Sequence, residues 1–149
     1  MLINAQFANT TRFANFLWLN KMLLDYVKIL EYKSDSERLQ TIKNILKSKK
    51  IKFVEQKYSY FNFKGTNIIV DLGNLKSKKY IILSAHFDAV TNSPGANDDA
   101  SGIAILIDVI KRLSKLKLKN RVRIIFFDDE EIGRFGSISY IKKFGLKDV

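Results

Sequence analysis

Three short stretches hold the side chains best suited to chemistry. Ser84-Ala85-His86-Phe87-Asp88 carries the only histidine of the chain, and Pro94-Gly95-Ala96-Asn97-Asp98-Asp99-Ala100-Ser101-Gly102 carries its only proline. Asp128-Asp129-Glu130-Glu131 is a run of four acids. Together they offer seven carboxylates and one imidazole. Carboxylates gathered in one cleft repel one another, and burial adds to the cost of their charge, so either their pKa values rise or a cation compensates. One imidazole among several oxygen ligands suits zinc, manganese or a similar divalent ion. Two such ions sharing a bridging carboxylate, about 3.5–4 Å apart, would form a hydrolytic centre. Each stretch alone has a plainer explanation. A lone histidine at a strand end is commonly just satisfied, Asp98 or Asp99 could simply cap a helix, and an acidic run could be a solvated turn. The case rests on all three reaching one place.

The surrounding elements make that meeting possible. Tyr80 to Ala85 is a continuous apolar run, which predicts a strand buried on both faces. Residues 89–99 form a loop with Pro94-Gly95 as its turn. Ile103 to Leu118 reads as a helix, with Ile103, Leu106, Ile107, Ile110 and Leu113 at helical spacing. Arg121 to Phe127 is a second doubly buried strand. A helix crossing between two such strands implies a parallel pair with a right-handed connection. Both strands then end at the same sheet edge, where ligand sites of open α/β sheets form.

The remaining elements extend this unit. Phe13 to Tyr32 reads as a helix. Ser34-Asp35-Ser36-Glu37 reads as the start of another, closed by Lys47, Lys49 and Lys50. Ile51 to Phe63 alternates as a strand, Lys64-Gly65-Thr66 is expected to turn, and Asn67 to Leu72 returns as its hairpin partner. A last helix follows Gly136-Ser137 and stops at Gly145. The expected fold is α/β: helices packed on a central sheet that a hairpin extends. Residues 1–33 are expected to form an N-terminal helical segment and 34–149 the N-terminal part of a catalytic domain.

Composition sets outer limits. The chain has 149 residues, 46% of them hydrophobic and 28% charged, as in a globular protein. It has no cysteine, which excludes disulfides and thiolate metal sites. The net charge is +11, but the lysines are spread along the chain and read as a solvated surface, so no specific nucleic-acid partner is expected. No apolar run reaches the about 18 residues a membrane span needs, so no membrane association is expected. Met1 to Asn20 lacks the basic start of a secretory signal, which favours a cytoplasmic location over secretion.

His86-Phe87-Asp88, Pro94 to Gly102, Asp129-Glu130-Glu131-Ile132-Gly133 and Phe135-Gly136-Ser137 resemble the motifs of the co-catalytic di-zinc aminopeptidases. These are the bacterial leucyl-type enzymes, with the glutaminyl cyclases as more distant kin. Gly65 to Gly73 resembles the strand that leads into their core, and the resemblance covers roughly residues 36–145. It implies a three-layer α/β/α sandwich with a mixed, mainly parallel sheet of the zinc exopeptidase type. It implies that His86, Asp98 and Glu131 are metal ligands, with Asp98 bridging two zinc ions. Glu130 would be the general base, and Asp88 would orient His86. Asp99 matches a helix cap, while Asp128 and Asp129 match no assigned role. The reaction implied is zinc-dependent hydrolysis of an N-terminal peptide bond, or of a small amide, through a metal-activated water.

The family pattern also calls for a further aspartate and a second histidine downstream of Glu131. His86 is the only histidine present, and Asp148 stands at the extreme end. The chain is therefore expected to be the N-terminal part of such an enzyme, weakly active or inactive alone and a candidate for complementation by a C-terminal fragment. The alternatives are a non-catalytic peptidase-like binding domain and a glutaminyl-peptide cyclotransferase.

Overall fold

The computed structural model describes residues 20–147 and 149. Helix α1 occupies 20–30 of these, and the part of the expected Phe13–Tyr32 helix before residue 20 lies outside them. Then follow α2 (Asp35–Ser48), β1 (Val54–Tyr60), β2 (Phe63–Gly73), β3 (Tyr80–His86), an irregular turn (Ala96–Ala100), α3 (Ser101–Leu113), β4 (Arg121–Phe127) and α4 (Phe135–Phe144). The start of α2 is the expected one. Ser34 accepts from the Glu37 N–H, and Glu37 Oε2 accepts from the Ser34 N–H at 2.9 Å, which closes a capping box.

The sheet order is β1-β2-β4-β3. Strands β3 and β4 are parallel, as the crossover helix requires, and the hairpin β1–β2 joins antiparallel on the β4 side. The alternation of β2 and β4 sorts their side chains between two layers. Ile68, Val70, Ile124 and Phe126 pack with Leu30 of α1, Ile42 and Leu46 of α2, and Ile103, Ile107 and Ile110 of α3. Ile69 and Ile125 face the other way and meet Tyr140 of α4. Three layers result, with helices on both faces of a mixed sheet.

Three local expectations change. The hairpin turns at Phe61-Asn62, with Phe61 in the left-handed region (φ 49°), and 64–66 belong to β2. Gly65 pairs with Tyr58, and a Cβ there would stand 2.3 Å from the Tyr58 hydroxyl. This glycine makes room for a ring crossing the strand and does not mark a bend. Helix α3 ends at Leu113, short of Leu118. Its apolar stripe stops there: Leu116 in the following turn is exposed, and Leu118 packs on the core from outside the helix. Strand β4 is buried on both faces, but β3 is an edge strand among the described residues, and its Ile81 is 55% exposed. A continuous apolar run reports that both faces are apolar; it does not report what covers them.

Candidate metal centre

The parallel register places His86, the last residue of β3, beside Phe127, the last of β4. The Phe87 N–H donates to the Phe127 carbonyl at 2.9 Å, so the two strands part only beyond this point. From there one loop carries Asp88, Asp98 and Asp99, and the other carries Asp128 to Glu131.

Buried Arg38 of α2 splints the first loop. Its guanidinium donates to the carbonyls of Pro94 (2.9 Å), Phe87 (3.4 Å), Gly95 (3.4 Å) and Lys33 (3.1 Å). Asp35 accepts from the Ala89 N–H at 3.2 Å. An arginine fork can serve several carbonyls at once, which one ammonium could not do with the same geometry. A sequence signal for this role exists: Arg38 sits four residues before Ile42 and eight before Leu46, inside the apolar stripe of α2.

At the mouth of the sheet three side chains converge. One ligand atom each from His86, Asp98 and Glu131 lie within 4.8 Å of one another. His86 Nε2 is 2.9 Å from Asp98 Oδ1. On the other ring edge, Nδ1 lies 3.2 Å from the Asp88 carbonyl and 3.4 Å from Asp88 Oδ1. Asp88 is buried; its Oδ1 faces His86 Nδ1 as an ion pair and has no closer donor among the described residues, and its Oδ2 accepts from the Glu131 N–H at 2.9 Å. The Asp98–Asp99 peptide bond is cis. Asp99 takes no part in the cluster: its Oδ1 accepts from the Gly102 N–H at 2.9 Å in the first turn of α3, and its Oδ2 accepts from the His86 N–H at 3.3 Å. Glu130 stands outside the three-ligand group. It lines a cleft of about 310 Å³ together with His86, Asp99, Asp128 and Ser137, and its Oε1 is 3.4 Å from Arg134 Nε.

The electrostatics are those of crowded acids. Burial, with Asp129 and Asp88 nearby, pushes Asp128 up to about 6. Burial and then Asp98 raise Glu131. Burial also works against ionisation of Asp88, but His86 and the backbone N–H groups outweigh it and hold that carboxyl below its usual range. The Asp88 carboxylate, then that of Asp98, lifts His86 to about 9 against the opposing effect of burial. The imidazole is thus poised as a cation between acids, and a metal ion at Nε2 would meet the same demand for positive charge.

One nitrogen and two oxygen donors fit a divalent ion of zinc's preference, with coordination positions left for other groups. Asp88 behind the imidazole fits the usual outer partner of a metal-bound histidine. The residues present therefore suit zinc.

Reading the sequence alone missed the tethers of the second loop. The Thr66 N–H donates to Asp128 Oδ2 at 2.8 Å, and the Tyr58 hydroxyl donates to Asp129 Oδ2 at 2.8 Å. Asn67 binds Asp128 and Gly136. Its only flag in the sequence is an amide placed directly before the apolar run Ile68-Ile69-Val70.

Aminopeptidase Y of Saccharomyces cerevisiae is 41% identical over 83 residues, which is 55% of this chain and 16% of that protein. The solved zinc aminopeptidase of Bacillus subtilis superposes with a TM-score of 0.54 at 31% identity, covering 61% of this chain and 23% of that one. A glutaminyl cyclase of Porphyromonas gingivalis superposes with a TM-score of 0.61 over 81% of this chain and 48% of its own, and at 21% identity that likeness concerns the fold. The chain thus spans less than a quarter of the two aminopeptidases and about half of the cyclase. Residues 67–149, more than half of the chain and including every residue of the cluster, match the peptidase family M28, and the chain belongs to that family.

Proposed function

We propose that the chain carries the N-terminal part of a zinc-dependent aminopeptidase centre that hydrolyses N-terminal peptide bonds. The observation that carries this reading is the convergence of His86, Asp98 and Glu131 with Glu130 beside them but outside the ligand group. The identity to aminopeptidase Y supports it.

In this reading His86, Asp98 and Glu131 would hold zinc, with Asp98 the exposed member of the ligand group. Zinc held there would supply Lewis acidity toward a carbonyl and a water molecule. Glu130 receives the proton of the attacking water and returns it to the departing amine, the two halves of general acid–base catalysis. Asp88 holds the imidazole in the orientation that presents Nε2. The edge of β3 that no described strand covers ends at His86, so a further strand added in parallel there would bring its own C-terminal residues to the same site. A complementing segment carrying an aspartate and a histidine would complete the ligand set by that route.

The test is calorimetric titration of the purified chain with zinc, followed by assay on leucine p-nitroanilide and on a glutaminyl peptide. The expected result is weak zinc binding that His86→Ala and Asp98→Ala each abolish, with little hydrolysis, all of it lost in Glu130→Gln. Zinc binding indifferent to both substitutions would overturn the proposal. Cyclisation of the glutaminyl peptide without release of amino acid would replace it with the cyclotransferase.

A further inference from the structure

We infer that Asn67 is the positioning residue of the Glu130–Glu131 loop: its buried amide ties the two ends of that loop together and so sets where both carboxylates stand. The inference rests on the metal-site reading above for its consequence, though not for its geometry.

Asn67 lies in β2 and is 0% exposed. A buried amide left without partners is destabilising, so its bonds matter. Oδ1 accepts from the Asp128 N–H at 3.1 Å. Nδ2 donates to the Gly136 carbonyl at 2.9 Å and to Gln56 Oε1 at 3.1 Å. The Gly136 N–H in turn donates to the Asp128 carbonyl at 3.1 Å. The side-chain amide thus stands in for a backbone peptide, accepting from one end of the loop and donating to the other. A Cβ on Gly136 would stand 2.5 Å from Asn67 Oδ1 and 2.2 Å from the Asp128 carbonyl, so the closure admits only glycine.

Glu130 and Glu131 lie between the tied ends. The other tethers from the hairpin, Thr66 to Asp128 and Tyr58 to Asp129, hold only the outgoing side. Asn67 holds both. No residue type of similar volume replaces it. Aspartate has no donor for the Gly136 carbonyl, and leucine removes both side-chain bonds to the loop.

The test compares Asn67→Asp with Gln56→Met, using cobalt(II) as the probe because its visible absorption reports ligand geometry. Asn67→Asp keeps the bond from Asp128 and loses the bond to Gly136; Gln56→Met disturbs the same buried layer and spares both. Asn67→Asp is expected to weaken cobalt binding about 10- to 100-fold, the range for residues that orient metal ligands, and to change the absorption spectrum. In the metal-free protein it is expected to speed amide exchange at Glu131 and Arg134 at least about tenfold. Gln56→Met is expected to lower thermal stability and leave cobalt affinity and those amides unchanged. Wild-type affinity and exchange in Asn67→Asp would overturn the inference, as would equal metal effects of the two variants. If the wild-type chain takes up no cobalt, the metal-site reading fails, and the amide exchange still decides the role of Asn67. If Asn67→Asp does not fold, Gly136→Ala opens the same closure from the loop side and is read in the same way.

Discussion

The N–H of Glu131 donates to Asp88 Oδ2 at 2.9 Å, while the other oxygen of that carboxylate faces His86 Nδ1 at 3.4 Å. One buried acid therefore sets two of the three candidate ligands, one from each loop. Asp88→Asn is isosteric but places an amide where two donors expect acceptors. It is expected to weaken zinc binding about 10- to 100-fold and to lower the His86 pKa. Calorimetry and a proton NMR titration measure both effects, and unchanged values would remove Asp88 from the site.

His86 is the only histidine, so a single imidazole resonance reports it. In the metal-free protein it is expected to titrate near 9 against an unfolded value of 6.5. The folded state then binds the proton more tightly. Its stabilising contribution is complete below 6.5 and is lost as the pH rises through about 9. Zinc competes with the same proton at Nε2, so added zinc should abolish the titration at 9. Urea unfolding between pH 6 and 10, with and without zinc, is the matching stability measurement.

Glu130 and Glu131 are adjacent, yet only Glu131 joins the ligand cluster. Glu131→Gln is expected to reduce zinc affinity at least tenfold, and Glu130→Gln to leave it within about twofold. In a complemented, active protein, Glu130→Gln should lower kcat by about 10²–10⁴, the usual worth of general acid–base catalysis. Equal effects of the two substitutions on zinc binding would contradict the separation of roles.

Arg38 sits under the first loop with its guanidinium on four carbonyls. Arg38→Met removes those donors and takes the guanidinium away from Asp35. The expected loss is about 2–4 kcal/mol in urea unfolding. Arg38→Lys should recover only part of it, because one ammonium cannot span the same carbonyls.

Much of the fold was legible because periodicity and burial share a cause. The stripe Ile103, Leu106, Ile107, Ile110, Leu113 forms a helix and ends where the stripe ends. The apolar run of β4 is an interior strand. The Ser34–Glu37 box starts a helix because its atoms are local. Gly65 misled the reading because a glycine in sequence says only that a side chain is missing. Whether that absence serves a bend or a neighbouring ring depends on register, here on Tyr58 lying opposite.

Residue types and local pattern specify the chemistry available: one imidazole, the acids that crowd it, and strands whose parallel ends must share an edge. Neither needs a distant contact. Which acids converge depends on the folded chain. Asp98 reaches His86 while its neighbour Asp99 turns to the helix and to the strand backbone. The folded chain also alone revealed Asn67, Arg38 and Tyr58 as supports, because each acts on residues roughly 50 to 70 positions away in the chain. Sequence spacing carries no information about such contacts until the sheet has fixed its register.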